Sequence, residues 1–136
     1  ISNSFTEGIK EANVFIGVSA PNSVTESQIQ SMEKDPIVFA LSNPVPEIMP
    51  ELALKAGAAL VATGRSDFPN QINNALSYPG VFKGLLEKKI KKVTIDQKIN
   101  AAKAIFEYHL PNLATNNILP SILDKKIPEI ISEKII

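Results

Sequence analysis

Residues 35–50 read DPIVFALSNPVPEIMP. Five apolar residues at 37–41 run into a small polar turn, and Pro50 follows where a helix would begin. A run this short, apolar throughout and bounded by turn residues, predicts a strand in a sheet covered on both faces. Two similar runs flank it, VFIGV at 14–18 and AALVA at 58–62. Between the first pair, Thr25 and Gln28 form a capping-box pattern, with Ile29 and Met32 on one face behind it. Between the second pair, Pro50 suits a first helical position and Gly57 a stop signal. Strand, helix, strand, helix, strand predicts βαβ crossovers and a parallel sheet.

Past residue 62 the pattern turns helical. A short helix is expected over 81–90. A longer one follows over 94–109, opened by a second capping box at Thr94 and Gln97 and stopped by Pro111. Its apolar stripe is Ile95, Ile99, Ala102 and Phe106, spaced i, i+4, i+7, i+11. The tail from Pro120 carries a weaker helical pattern. The expected fold class is therefore α/β: the later half of a doubly wound, Rossmann-like parallel sheet followed by C-terminal helices. Residues 1–92 would form the sheet part and 93–136 a helical segment packed on the rest of a larger protein. The apolar tail residues Ile127, Ile130, Ile131, Ile135 and Ile136 are expected to cover a domain or subunit outside this chain.

Composition narrows the chemistry. Fourteen Lys and Arg balance fourteen Asp and Glu, giving a formal charge of zero. That excludes a protein built on counterion release from nucleic acid. No apolar run reaches the roughly eighteen residues that a membrane-spanning helix needs. Absence of cysteine excludes disulfides and thiolate metal sites, and a single histidine excludes a multi-histidine site within one chain. The chain opens at Ile1 without methionine or a signal pattern, which points to a piece of a longer polypeptide. The glycine fingerprint G-x-G-x-x-G of a dinucleotide fold is absent, and Gly80 and Gly84 have the wrong spacing for it.

In open α/β sheets, ligands bind outside the carboxyl ends of the strands. Here those ends carry Ser19-Ala20-Pro21-Asn22, Ser42-Asn43-Pro44 and the polar segment 63–74. Six of the eleven asparagines lie there or on the edge: Asn13, Asn22, Asn43, Asn70, Asn73 and Asn74. A carboxamide donates and accepts without net charge, so it suits a small acid's carboxylate or hydroxyl, or a nicotinamide's amide. It does not titrate, so it is no general base. Asparagine after a strand is also ordinary turn chemistry. Arg65 and Asp67 read as a structural loop, with a cofactor phosphate or a neighbouring subunit as the alternative partner of Arg65. Lys88–Lys92 reads as a solvated helix end. His109, Tyr78 and Tyr108 read as helix residues without a catalytic partner.

The stretches NVFIGVSAPN (13–22), DPIVFALSNPVPEIMP (35–50), GAALVATGRSDFPNQINNALSYPG (57–80) and LPSILDK (119–125) resemble, in order, the C-terminal part of the bacterial-type malic enzymes. The resemblance implies oxidative decarboxylation of malate to pyruvate and carbon dioxide, with NAD or NADP and a divalent Mg or Mn ion. It implies substrate contacts from Asn43, Asn73 and Asn74, and a cofactor-lining role for Val18, Ser19, Ala20, Ser42 and Asn43. The family's tyrosine–lysine acid–base pair, metal-binding acidic residues and glycine fingerprint lie upstream of the matched segment. No catalytic or metal-binding residue is therefore expected in this chain, which alone should be inactive. The remainder of the polypeptide, a homodimer or tetramer, and a cytoplasmic setting are implied too, with no nucleic acid and no membrane. A malolactic outcome on the same scaffold and a non-catalytic binding or assembly module are the alternatives.

Overall fold

A computed structural model describes residues 4–136. They form two compact units, one ending at residue 72 and the other spanning 73–136; residues 1–3 lie outside the described part.

The first unit contains α1 (Phe5–Gly8), β1 (Val14–Gly17), α2 (Glu26–Gln30), β2 (Ile37–Ala40), α3 (Pro50–Lys55) and β3 (Leu60–Thr63). The strands make one parallel sheet in the order β1-β2-β3. Register aligns Phe15, Val38 and Val61 across one row, and Gly17, Ala40 and Thr63 across another. These rows face a core that also takes Ile29 of α2 and Ala53 of α3. The opposite face starts with Val14 and Ile16, both exposed on the edge strand β1.

Local sequence signals explain the helices. Thr25 and Gln28 form the expected reciprocal cap of α2. Pro50 opens α3, where its missing N–H costs nothing. Gly57 takes φ 108° just past the end. Its N–H bonds to the Leu54 carbonyl while that of Ala58 bonds to the Ala53 carbonyl, a complete Schellman motif. That motif absorbs Ala58, and Ala59 pairs with Pro36, so β3 starts at Leu60 instead of residue 58.

The second unit is α4 (Tyr78–Glu87), α5 (Ile95–His109) and α6 (Ile127–Lys134), with 3-10 turns at Asn74–Leu76 and Leu110–Asn112. Helix α4 begins and ends three residues before the expected span. Pro79 fits its first turn, and Lys89, at φ 55°, ends it in the left-handed region. The capping box at Thr94 and Gln97 forms as expected.

Two expectations about apolar residues are corrected. The stripe Ile95, Ile99, Ala102 and Phe106 is exposed, and α5 instead buries Gln97, Ala101, Ala104, Ile105 and His109. Small Ala101 with Ile105 lets α5 join the cluster of α4 and α6, and Gln97 is committed both to its cap and to the Ile136 carbonyl, 3.0 Å away. Of the five tail isoleucines, Ile127, Ile131 and Ile135 are buried within this unit's own core, whereas Ile130 is half-buried and Ile136 is exposed.

Polar contacts close the unit. The Tyr108 hydroxyl donates to Asp124 at 2.8 Å, and His109 Nε2 lies 2.9 Å from the Asn117 carbonyl. Lys88 is exposed, as expected for the lysine run, and it also reaches the end of α6. Its Nζ donates to the carbonyls of Ser132, Glu133 and Ile135 at the end of α6.

Gly80 and Gly84 show why α4 and α6 pack so closely. A Cβ on Gly80 would lie 2.5 Å from Ile131 Cβ and 2.9 Å from the Pro128 carbonyl oxygen. A Cβ on Gly84 would lie 2.7 Å from Ile135 Cβ. Alanine gains up to about 1 kcal/mol of helix propensity over glycine. Overpacking costs about 1–3 kcal/mol, and a backbone carbonyl cannot rotate away, so the clash wins. Gly80→Ala is expected to lower the urea midpoint of unfolding. Gly8→Ala, with open space around the new methyl, is expected to hold or raise it. Equal shifts of the two midpoints would contradict this account.

Candidate functional site

The carboxyl ends of β1 and β2 are joined by one buried side chain. Glu47 has no exposed surface. Its Oε1 accepts the Ser19 N–H at 2.7 Å, and its Oε2 accepts the Ser42 N–H at 3.0 Å. The backbone adds two more ties, from Asn22 N–H to the Pro46 carbonyl and from Val24 N–H to the Glu47 carbonyl, each 3.0 Å. A buried carboxylate is costly unless hydrogen-bonded, and charge-assisted bonds to backbone amides are among the stronger ones. Gly17 makes room for it. A Cβ there would sit 2.6 Å from the Glu47 carboxyl carbon.

The turn after β2 is held from a second side. Arg65 donates from Nη1 to the Pro44 carbonyl at 3.0 Å, and the Asn43–Pro44 peptide is cis. The same guanidinium forks onto Asp67, with Nε to Oδ1 at 2.8 Å and Nη2 to Oδ2 at 2.6 Å, and lies 5.2 Å from the Phe68 ring centre. The loop reading of this pair is therefore what the structure has: Arg65 is neutralised by its neighbour and spent on the turn.

With those ties made, few groups remain outward. Val18, Ser19 and Ala20 are exposed beyond β1, with Val18 at 77%. Ser42 is buried beside Glu47. Asn43 is exposed, and its carboxamide makes no hydrogen bond among the described residues. The structure thus joins the Val18–Ala20 loop and the Ser42–Asn43 turn through a common strut.

Asn13 precedes β1 and lies at its amino end, away from this rim; the remaining asparagines divide by backbone conformation. Asn22 and Asn70 adopt φ 54° and 58°, a region that asparagine tolerates better than most residues. Asn70 Nδ2 donates to the Val61 carbonyl at 3.0 Å. Both are turn residues. Asn73 and Asn74 open the second unit. Asn73 caps its 3-10 turn by accepting from the Ala75 N–H at 2.9 Å, whereas Asn74 is exposed. Glu47 was not among the sequence candidates. The available signal was a lone charge between Pro46 and Ile48 in an otherwise uncharged turn.

An open parallel α/β sheet with small polar groups at its strand ends defines a nucleotide-fold type of domain. The family model described as the malic enzyme NAD-binding domain matches residues 3–135, and the chain belongs to that family. It is 44% identical over 133 residues to a bifunctional malic/malolactic enzyme of Bacillus subtilis, covering 97% of this chain and 32% of that protein. It is 42% identical to an NAD-dependent malic enzyme of Geobacillus stearothermophilus, covering 100% and 28%. The crystal structure of an NAD-dependent malic enzyme from Thermotoga maritima matches with a TM-score of 0.94 at 41% identity, over 99% of this chain and 35% of that one. The chain thus spans about a third of the length of these relatives.

The Asp67 carboxyl is held below its ordinary value, first by the hydrogen bond from Arg65. A depressed carboxyl stabilises the fold above its unfolded value, and that contribution is lost as pH falls through the folded value. NMR titration of Asp67 should give a midpoint below the usual value of about 3.9. Arg65→Gln should move it upward. An unmoved midpoint would remove the ion pair from the account of this turn.

Proposed function

We propose that this chain supplies the cofactor-facing rim and part of the substrate rim of a nicotinamide-dependent malic enzyme, which converts malate to pyruvate and carbon dioxide. The observation that carries this is Asn43, an exposed carboxamide without a partner among the described residues, beside the exposed Val18–Ala20 loop at the strand ends of an NAD-binding-family domain. Both NAD-dependent and NADP-dependent malic enzymes are among its relatives.

When bound, the cofactor would take hydride from malate C2 and a divalent Mg or Mn ion would polarise the resulting ketone. The chain's own contribution is positional. Asn43 would orient a carboxylate or hydroxyl of the substrate, donating from Nδ2 and accepting at Oδ1. Asn73 and Asn74 would be further substrate contacts, Asn73 within the limits of its capping bond. Val18 and Ala20 offer apolar contact suited to one face of a nicotinamide ring, with Ser19 and Ser42 fixing the backbone on either side. No cluster of three or more metal-type ligands occurs among the described residues. The metal ligands and the acid–base pair belong, in this reading, to the remainder of the polypeptide. Residues 1–92 would be the cofactor part and 93–136 a helical segment docked on the rest of a dimeric or tetrameric cytoplasmic enzyme. Among the described residues no helix is long and apolar enough to cross a membrane.

A second reading is malolactic decarboxylation, in which the cofactor stays bound and lactate leaves. It is favoured by the bifunctional malic/malolactic relative. A non-catalytic binding or assembly module is the third.

In the full-length polypeptide, Asn43→Ala and Asn74→Ala should each lower kcat/KM for malate roughly 10- to 100-fold, the worth of a hydrogen bond to a charged group. Steady-state kinetics with both cofactors measures this, and lactate against pyruvate in the product separates the two decarboxylations. Unchanged constants in both variants would end the substrate-rim reading. The 136-residue chain alone, with malate, Mn and either cofactor, should show no turnover above buffer. Turnover there would place the catalytic machinery inside this chain.

A further inference from the structure

Glu47 is a fully buried carboxylate that the functional reading above leaves unused. It takes no part in any ion pair among the described residues. Instead it spans two loops from different strands, one oxygen to each: Ser19 N–H after β1 and Ser42 N–H after β2. Stability alone would be served more cheaply by an apolar residue at a buried position, since removing a charge from water carries a penalty of several kcal/mol. What the carboxylate adds is a fixed distance. Its two oxygens set how far the Val18–Ala20 loop stands from the Ser42–Asn43 turn. The Gly17 backbone is pared to the α-carbon to admit it.

We propose that Glu47 is a positioning residue for hydride transfer: a strut that holds the cofactor-facing loop and the substrate-facing turn at the separation the reaction needs. The inference rests on the malic enzyme reading and deepens it. In the step concerned, the C2–H bond of malate breaks and its two electrons and hydrogen pass as hydride to nicotinamide C4. The hydroxyl proton goes to a base outside this chain, and NAD or NADP is the oxidant. Glu47 touches neither reactant. It acts through the backbone of Ser19 and Ser42, whose neighbours Val18, Ala20 and Asn43 face the ligands.

Glu47→Gln tests this with size and shape kept. The amide NH2 must face one of the two backbone N–H donors, so one tie is replaced by a donor–donor contact. In the full-length enzyme, kcat should fall by on the order of 10- to 100-fold, the scale of a small misplacement of reactants. The KM for the cofactor should rise severalfold. The deuterium isotope effect with malate deuterated at C2 should grow, because hydride transfer becomes more rate-limiting. A purely structural role would only reduce the folded fraction, lowering the apparent kcat with the isotope effect and both KM values unmoved. Glu47→Asp keeps the charge but is one methylene short of spanning both amides, so it should move the same quantities in the same direction. It also serves where Glu47→Gln does not fold. Unmoved isotope effects and cofactor KM in an active enzyme, or failure of both variants to fold, overturn the proposal and leave Glu47 a stability residue. A wild type that fails to oxidise malate with either cofactor overturns the functional reading and this inference with it.

Discussion

One carboxylate with no exposed surface sets the ends of two strands. Parallel pairing fixes β1 and β2 only as far as Gly17 and Ala40. Beyond the Leu41 N–H bond to the Gly17 carbonyl the ladder ends, and loops of Ser, Ala, Pro and Asn have little apolar area with which to hold one another. Glu47 reaches back from the start of the α3 approach and takes an amide from each. Backbone bonds from Asn22 and Val24 to Pro46 and Glu47 lock the same segment against the first loop. Remove the carboxylate and two backbone donors beside a buried position lose their acceptor, a cost comparable to a lost hydrogen bond for each.

The turn between these anchors is thereby held at both ends. Glu47 acts on Ser42, and Arg65 acts on Pro44. Asn43 lies between them, and its side chain is the group left without a job inside the fold. Arg65 commits three of its five N–H donors inside the fold, two to Asp67 and one to the Pro44 carbonyl. A guanidinium so occupied is a brace. The rim accordingly presents amides and small side chains near the turn, with its one arginine charge already matched.

Much of this architecture was legible because the signals are local. Both capping boxes, the proline at the start of α3 and the glycine past its end depend on residues within one turn of each other. The strand runs were legible because each is apolar and short. What escaped was non-local. Glu47 pairs across 28 residues with Ser19, and no periodicity encodes such a contact. The face of α5 escaped for a related reason. Its apolar stripe and its buried face are neighbouring surfaces of one helix, and the choice belongs to the partner helices, which accept Ala101 and Ile105. Likewise the isoleucine tail looked too apolar for a free end. The missing knowledge was that Gly80 and Gly84 open a groove on α4 that receives Ile131 and Ile135.

The asparagines carry the sharpest lesson about reading a site from composition. Six near the strand ends suggested a ligand rim. Backbone conformation divides them. At φ 54° and 58°, Asn22 and Asn70 occupy positions where most side chains are strained, so chain geometry alone accounts for them. Asn73 is accounted for by its cap. Asn43 adopts no left-handed backbone and makes no internal bond, and Asn74 is exposed. A residue whose amide satisfies nothing in its own fold gains nothing there over alanine or serine. Under the substrate-rim reading proposed above, the Asn43 side chain serves what its turn faces, and Glu47 and Arg65 are the groups that hold that turn in place.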